Sequence, residues 1–274
     1  MPNTKNRGYE NFVLEDQLQD ILETNLSVQT LMTIDDSLVE SEGMIKKINV
    51  YKYEGEVEEL EEGQGNTTTG AVTFETKTYE VALAQHRFGY HDEQFMQDSK
   101  VVDYGVRGAG LTMINHMNDK FFEELESGEI TKHEIAGATL KYDDVIDAME
   151  LLENANTLSG ATVEDESKLF LLVGTDFKAN LRKDPDFKSA NQGAILFNGQ
   201  IGTVAGIPVI GSRKVPAKTA YLMTKEAITL FIKKETEAEQ SRDANTRYNE
   251  VYLRKVFLVA LTDATKVVCI HKGE

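Results

Sequence analysis

Two segments near the start of the chain alternate polar and apolar residues around a long acidic stretch. The segment 71–83 places Val72, Phe74 and Thr76 at every second position, and 44–54 repeats the pattern more weakly. Such alternation is typical of half-buried β-strands. An arm of about ten residues reaches roughly 30 Å, and an isolated two-stranded ribbon is only marginally stable in water. We therefore expect this hairpin to rest on another surface, and a neighbouring subunit is the most economical candidate.

The segment between the two strands is too acidic and too rich in glycine to form a core. Its acids are Glu54, Glu56, Glu58, Glu59, Glu61 and Glu62, and glycines follow at 63, 65 and 70. The same composition is also compatible with a disordered acidic surface loop.

The spacing of apolar residues predicts a long helix over 98–125. Its stripe comprises Val102, Val106, Ala109, Met113, Met117, Phe121 and Leu125. Glycines at Gly105, Gly108 and Gly110 weaken the first half by about 1 kcal/mol each relative to Ala. Either the helix begins near Leu111, or these glycines permit a bend or a close backbone approach.

Residues 10–32 have helical spacing with little to pack on, which is compatible with an arm that docks elsewhere or with an ordinary N-terminal helix. The residue pattern of the region 127–225 predicts alternating helices and strands. A helix beginning at Asp143 or Asp144 is predicted to direct Val145, Ile146, Met149 and Leu152 inward. A fully buried strand is expected at 169–173. Gly174-Thr175-Asp176-Phe177 then opens a short helix that runs through Leu181-Arg182 and is closed by Asp184-Pro185.

The final third of the chain contains a series of features in a characteristic order. The series is Gly206-Ile207-Pro208-Val209, Val215-Pro216, an alternating strand at 227–232, Ser241-Arg242-Asp243 in a charged turn, and apolar runs at 256–261 and 266–270. This order resembles the C-terminal part of tailed-phage major capsid proteins of the HK97-like family. The hairpin and the long helix also resemble that family's extended loop and spine helix.

The resemblance implies an α+β, HK97-like capsid fold with four parts. They are an N-terminal arm at 1–43, an extended β-hairpin (the E-loop) at 44–83, a peripheral sheet domain with the spine helix at 84–127 and 226–274, and an axial α/β domain at 128–225. Because expanding shells alter the shape of their subunits, the resemblance also favours a bend of the spine at Gly105, Gly108 and Gly110.

The implied function is that of a major capsid protein, which assembles with itself into pentamers and hexamers of an icosahedral shell around a double-stranded DNA genome. The resemblance further implies a portal protein, either a separate scaffolding protein or assembly without one, assembly in the bacterial host cytoplasm and residence in the virion. Two alternatives remain at this stage. One is an encapsulin-like bacterial compartment with an enzyme cargo, and the other is a soluble α+β enzyme with an acidic lid.

In a shell, the acidic loop is expected to lie on a neighbour and to face cations there. The candidates are Lys233, Lys234, Arg242, Arg247 and Arg254. Exposed ion pairs contribute only about 0.2–1 kcal/mol each, so apolar burial must supply most of the affinity and charge must set the orientation. Some members of the family that this chain resembles cross-link their subunits through a lysine of the extended loop and an asparagine of the axial domain. This loop has no lysine between Glu54 and Gly70, so we expect a shell that is held together non-covalently.

The net charge of -17 argues against binding of nucleic acid by phosphate neutralisation. It is compatible with a container, because a wall that repels DNA does not trap it. The sequence has no run of 18 or more apolar residues and therefore predicts no membrane-spanning helix. The polar segment Met1 to Tyr9 lacks the apolar part of a signal peptide.

The sequence contains no recognisable catalytic or cofactor-binding motif. Phosphate-binding glycine loops and a Gly-x-Ser-x-Gly elbow are both missing. His86 and His91 are the closest histidine pair, but an odd spacing on a strand directs them to opposite faces. Cys269, the single cysteine, lies in an apolar run and is expected to be an inert core thiol. We therefore expect neither an enzyme, a cofactor nor a metal.

Overall fold

The computed structural model describes residues 13–15, 17–18, 31–39, 41–55, 58–127, 129–135, 137, 139–154, 168–190 and 202–273. The chain divides into two compact units. The first comprises Met1–Met44, Glu80–Ser127 and Ile228–Ala260, and the second comprises Ile45–Tyr79, Gly128–Ala227 and Leu261–Glu274.

The secondary structure mixes strands and helices. In chain order the strands are β1 (Thr33–Asp35), β2 (Ile45–Glu54), β3 (Ala71–Glu80), β4 (Ala82–His91), β5 (Thr131–Ile135), β6 (Leu169–Val173), β7 (Thr203–Val204), β8 (Ile207–Gly211), β9 (Thr219–Thr224), β10 (Ile228–Asp243), β11 (Tyr248–Leu261) and β12 (Val267–Lys272). The helices are α1 (Asp92–Gln97), α2 (Val101–Ser127), α3 (Tyr142–Glu153), α4 (Thr175–Leu181) and α5 (Pro185–Ala190). None of the helices in the described ranges is both long and apolar enough to cross a bilayer.

The first unit is a four-stranded sheet in the order β1-β10-β11-β4 with the long helix α2 packed against β4. All seven residues of the predicted apolar stripe of α2 are buried, which confirms the predicted face of the helix. Of the predicted N-terminal helix at 10–32, most residues lie outside the described ranges. Leu14 and Leu18 are fully buried, and a carboxylate oxygen of Glu15 accepts a hydrogen bond from the backbone N–H of Ala238 at 2.9 Å.

Helix α2 begins at Val101 and runs through all three glycines, so the alternative start near Leu111 is wrong. At Gly105 the reason for glycine is a close approach. A Cβ there would lie 2.3 Å from a ring carbon of Phe88 on β4, well inside van der Waals contact. Gly110 is buried, whereas a Cβ at Gly108 would meet nothing within 4 Å. Gly105 therefore permits the helix to pack closely on the sheet.

The two glycines predict opposite effects of the same substitution. Gly108→Ala is expected to raise the free energy of unfolding by about 0.5–1 kcal/mol, because alanine has the higher helix propensity and the added methyl group has space. Gly105→Ala is expected to lower it, because overpacking costs about 1–3 kcal/mol and exceeds the gain in propensity. Urea unfolding of unassembled subunits measures both. Equal stabilisation by the two variants would contradict the close packing on Phe88, and Phe88→Leu should relieve the Gly105→Ala defect.

The second unit contains a six-stranded sheet in the order β5-β12-β9-β6-β8-β7. Strand β6 is buried at all five positions, as predicted for a strand covered on both faces. Strand β12 pairs parallel to β5 and antiparallel to β9. The sequence prediction placed 261–274 in the peripheral domain with 226–260, whereas the structure places β12 inside this second sheet. The physical reason is that Val267, Val268, Cys269 and Ile270 are all buried, as expected for a central strand with both faces covered, while β5 and β9 pair with its two edges.

Helices α3, α4 and α5 contribute to one apolar cluster with this sheet. Val145, Met149 and Leu152 of α3 face inward as predicted, but the fourth inward residue is Ala148. Ile146 was predicted to face inward and is instead 40% exposed, because it lies one position away from the buried row of a 3.6-residue period. A further short helix, α5, begins at Pro185, where the prediction ended the helical segment.

Candidate assembly surfaces

Strands β2 and β3 form a separate two-stranded sheet, as predicted for the extended hairpin. Two cross-strand contacts show how they pair. The rings of Tyr51 and Phe74 lie 5.8 Å apart, and the hydroxyl of Thr76 donates to the Oδ1 atom of Asn49 at 2.8 Å. Because residues two apart share a face, Phe74, Thr76 and Val72 lie on one face of the ribbon with Tyr51 and Asn49.

This face is apolar at one end and is not covered by the rest of the described chain. Val72 is 61% exposed, Phe74 62% and Tyr51 50%. Cross-strand aromatic pairs stabilise a sheet by only about 0.2–1 kcal/mol. Burial of these side chains against a partner would contribute more free energy, because the contribution grows with the apolar area that is removed from water. The ribbon therefore has an uncovered apolar surface, which we call the ribbon face (Tyr51, Val72 and Phe74).

The tip of the hairpin is closed by the carboxylate of Glu58. It accepts hydrogen bonds from the backbone N–H of Thr67 at 2.7 Å, from the Thr67 hydroxyl at 2.6 Å and from the backbone N–H of Thr68 at 3.0 Å. These bonds, first of all that of the Thr67 hydroxyl, lower the pKa of Glu58 below its ordinary value. Glu58 thus stabilises the fold of its own loop, and a disordered loop would not have these specific hydrogen bonds.

The other acids of the tip differ from Glu58. Glu59, Glu61 and Glu62 are exposed. Glu56 and the side chain of Glu54 lie outside the described part of the chain. Among the described residues of the tip, Glu59, Glu61 and Glu62 therefore form an exposed negative surface, whereas Glu58 is held by the hydrogen bonds that close the loop.

The five cations proposed to receive the loop all have partners within their own subunit. Lys233 donates from Nζ to the carbonyl oxygens of Ser41, at 2.8 Å, and Gly43. Lys234 contacts Glu237 at 2.8 Å, and Arg254 contacts Glu239 at 2.9 Å and the side-chain oxygen of Gln85 at 2.7 Å. The remaining two are Arg242 and Arg247. Contacts of these cations with another subunit remain a prediction.

Arg242 belongs to a partly buried network that the sequence did not reveal. Its Nη2 atom lies 2.7 Å from Asp92 Oδ2, and Asn249 donates from Nδ2 to Asp92 Oδ1 at 2.6 Å. Asp92 is only 6% exposed, and its hydrogen bond raises the already high pKa of the Arg242 guanidinium. Loss of one partner in such a network leaves an uncompensated charge. Arg242 is therefore primarily a structural residue of its own subunit.

Arg247 lies at the turn between β10 and β11, beside the first turn of α1. Its backbone has φ 53°, its carbonyl oxygen accepts from the N–H of Asp92 at 3.1 Å, and its Nη1 atom lies 3.1 Å from Glu93 Oε1. The two acids in the first turn of α1, Asp92 and Glu93, were the available sequence signal for this contact.

The structure separates the two histidines that lie closest in sequence, His86 and His91. His86 and His116 line a cavity between β4 and α2, while the His91 ring lies 4.9 Å from the Tyr248 ring. No cluster of three or more His, Cys, Asp or Glu side chains suited to a metal occurs within the ranges that the structure describes.

Cys269 is buried between β5 and β9, and burial raises its pKa to about 11. At pH 8 this pKa leaves about 0.1% of the thiol ionised, against about 10% for an ordinary thiol of pKa 9.0. We expect an alkylating reagent to react at least ~100-fold more slowly with the folded chain than with the chain in urea, because the thiolate is the reactive form. Mass spectrometry of timed samples measures this, and fast labelling of folded protein would contradict an inert core thiol.

Comparisons with known proteins agree on one class. The model of the family described as "Phage capsid protein" matches residues 75–270. The major capsid protein of Staphylococcus phage phiMR11 is 26% identical over 271 residues, which cover 95% of this chain and 92% of that protein.

Solved structures share the fold. The capsid of Cyanophage P-SCSP1u matches with a TM-score of 0.68 at 11% identity, over 89% of this chain and 87% of that chain. A virus-like particle from Pyrococcus furiosus matches with a TM-score of 0.64 at 12% identity, over 95% of this chain and 99% of the other. The fold class predicted from the sequence, an HK97-like α+β capsid fold, is confirmed.

Proposed function

Because this chain belongs to the phage capsid protein family and is a major capsid protein of a phage shell, we propose that it builds the icosahedral head that encloses a phage or prophage double-stranded DNA genome. It is a virion component that assembles with copies of itself. Capsid proteins of this family are structural, and we assign the chain no catalytic role.

The ribbon face is the observation that supports this function most directly. A two-stranded ribbon is marginal in water, yet this one exposes Phe74 and Val72 at more than 60% each. A shell provides a surface that covers the ribbon face, since each copy can pack its ribbon against the next copy. The exposed Glu59, Glu61 and Glu62 then set the orientation of the contact, in keeping with the small energy of exposed ion pairs.

Further partners follow from the same role. The proposed arrangement consists of hexamers and pentamers, with a portal protein at one vertex and a separate scaffolding protein during assembly in the bacterial cytoplasm. The net charge of -17 suits an inner wall that does not hold the DNA by neutralising its phosphates. An encapsulin-like compartment has the same kind of wall, but the phage capsid relative favours the phage head.

Electron microscopy of the purified protein tests the function. We expect closed shells, with or without an added scaffolding protein, because the ribbon face has no other cover within the described chain. Small monodisperse particles under all conditions would contradict a shell subunit. Shells that copurify with an enzyme cargo instead of DNA would favour the compartment.

The bend of the spine is a separate proposal. Gly108 is exposed and open to solvent, and the three glycines reduce the intrinsic stability of the first half of α2. If precursor and mature shells are compared by electron cryomicroscopy, we expect α2 to differ in curvature near residues 105–110. A helix of equal curvature in all copies of both states would contradict this proposal.

A further inference from the structure

Helix α3 presents an acidic face that its own unit leaves uncovered. The helix packs against β5, β12 and β9 through its buried row. Its outward side carries the exposed acids Asp143, Asp147, Glu150 and Glu153. Ile146 and Leu151 lie on the same outward side and are 40% and 38% exposed. We call this surface the acidic flank.

The other half of the same sheet carries a basic surface. Helix α5 packs against β7, the strand at the opposite end of the sheet from β5, and α4 directly follows β6. Arg182 and Lys183, in the turn that follows α4, and Lys188 on α5 are exposed. The loop 212–218 adds Arg213 and Lys218, and it lies beside the start of α4 because the N–H of Ser212 donates to the carbonyl of Val173 at 3.0 Å. We call these segments, 175–190 and 212–218, the basic flank.

The two flanks have matching and opposite charge. Residues 141–154 contain five carboxylates and one lysine, a net of four negative charges. The two segments of the basic flank contain seven cations and three carboxylates, a net of four positive charges in a chain whose total is -17. A local positive surface in so acidic a chain is not expected from composition alone.

The placement of the flanks at opposite ends of one sheet determines which contacts are possible. A contact between the acidic flank of one copy and the basic flank of the next uses two different surfaces and is therefore heterologous. Heterologous contacts close into rings when the rotation between neighbours permits it. Five- and six-membered rings are the rings from which the proposed head is built.

We propose that the acidic flank docks on the basic flank of the neighbouring copy within each ring of the shell, an inference that rests on the proposed function. Ile146 and Leu151 supply apolar area to the contact. The charges orient it and exclude the like-charged pairings of two acidic or two basic flanks.

Charge reversal on each flank tests the contact. In one variant Asp147, Glu150 and Glu153 become Lys, and in the other Arg182, Lys183 and Lys188 become Glu. Asp144 is left unchanged because its Oδ2 atom accepts a hydrogen bond from the N–H of Lys141 at 2.8 Å. The yield of shells from each variant alone, at fixed protein concentration, is expected to fall about tenfold or more, because all the contacts within its rings join surfaces of like charge. The variant with both reversals restores opposite charge at every contact and keeps the wild-type net charge, so its shells should return.

A mixture of the two single-flank variants gives a sharper result. Opposite charges then meet only when the two variants alternate around a ring, and strict alternation closes only rings with an even number of copies. We therefore expect six-membered rings, seen as sheets or tubes, without five-fold vertices. Negative-stain microscopy reads this directly, and urea unfolding of the unassembled subunits confirms that each variant is folded.

The outcomes separate the two proposals. Wild-type shells together with normal shells from either single-flank variant overturn the flank contact and leave the proposed function intact. Failure of the folded double variant to recover, or failure of the mixture to form rings, also overturns the flank contact. If the wild-type chain forms no shells under any condition, both proposals fall.

Discussion

Phe74→Asp is expected to abolish shell formation while the isolated subunit remains as stable as the wild type. Phe74 is 62% exposed within its own chain, so its replacement removes little that stabilises the monomer. Burial of the exposed part on a neighbour would contribute about 1–2 kcal/mol for each contact. Aspartate forfeits that contribution and adds the cost of placing a carboxylate against an apolar surface. Since every copy in the shell makes the same contact, the loss is repeated throughout.

Two measurements distinguish an assembly defect from a folding defect. Sedimentation or microscopy reports the yield of shells, and urea unfolding reports the stability of the unassembled subunit. Phe74→Leu is the matched control, because it keeps an apolar side chain of similar volume and should retain most of the shells. Shells of normal yield from Phe74→Asp would show that the ribbon face does not contact another copy.

The sequence predicted the parts of the fold that depend on local periodicity. The alternation at 71–83 identified β3, and the stripe from Val102 to Leu125 identified the buried face of α2. These elements have long, regular patterns, and their burial follows from the period alone. The order of features after Gly202 supplied the fold class, which the structure and the comparisons confirm.

Features that depend on contacts distant in sequence were not accessible in the same way. The role of Gly105 is set by Phe88, which lies on another element, and the burial of Asp92 is set by Arg242 and Asn249 at the far end of a long hairpin. The position of β12 between β5 and β9 likewise depends on pairing with β5, more than a hundred residues earlier in the chain, and with β9, which is also distant in sequence. Neither periodicity nor spacing contains this information.

For the candidate site, the sequence identified the acidic tip but treated its residues as equivalent. The structure separates Glu58, which closes the loop on Thr67 and Thr68, from the exposed Glu59, Glu61 and Glu62. A nine-residue separation between donor and acceptor inside a glycine-rich loop gives no periodic signal. The distinction changes how the role of the tip is tested, because reversal of all four acids would alter the loop and its charge together.

Reversal of Glu59, Glu61 and Glu62 to Lys is expected to impair shell assembly strongly and to leave the loop closed. The three charges change sign, so contacts with cations of a neighbour become repulsive, while the bonds of Glu58 to Thr67 and Thr68 remain. Shell yield measures the first effect. Slowed hydrogen exchange at the amides of Thr67 and Thr68 measures the second.

Glu58→Gln is the complementary variant, since it removes the charged acceptor and leaves the other three acids. It is expected to open the loop and to speed exchange at Thr67 and Thr68. In the wild type the same opening should follow acidification: the folded pKa of Glu58 is lowered, so the clasp is complete above the ordinary glutamate pKa and is lost as pH falls through the lower folded value. Protection factors of the Thr67 and Thr68 amides, which correct for the intrinsic pH dependence of exchange, should fall on acidification; constant protection factors in this range would contradict the hydrogen bonds of Glu58. Normal shells from the triple Lys variant would show that the tip charges do not direct assembly, and the contact would then depend on the apolar ribbon face alone.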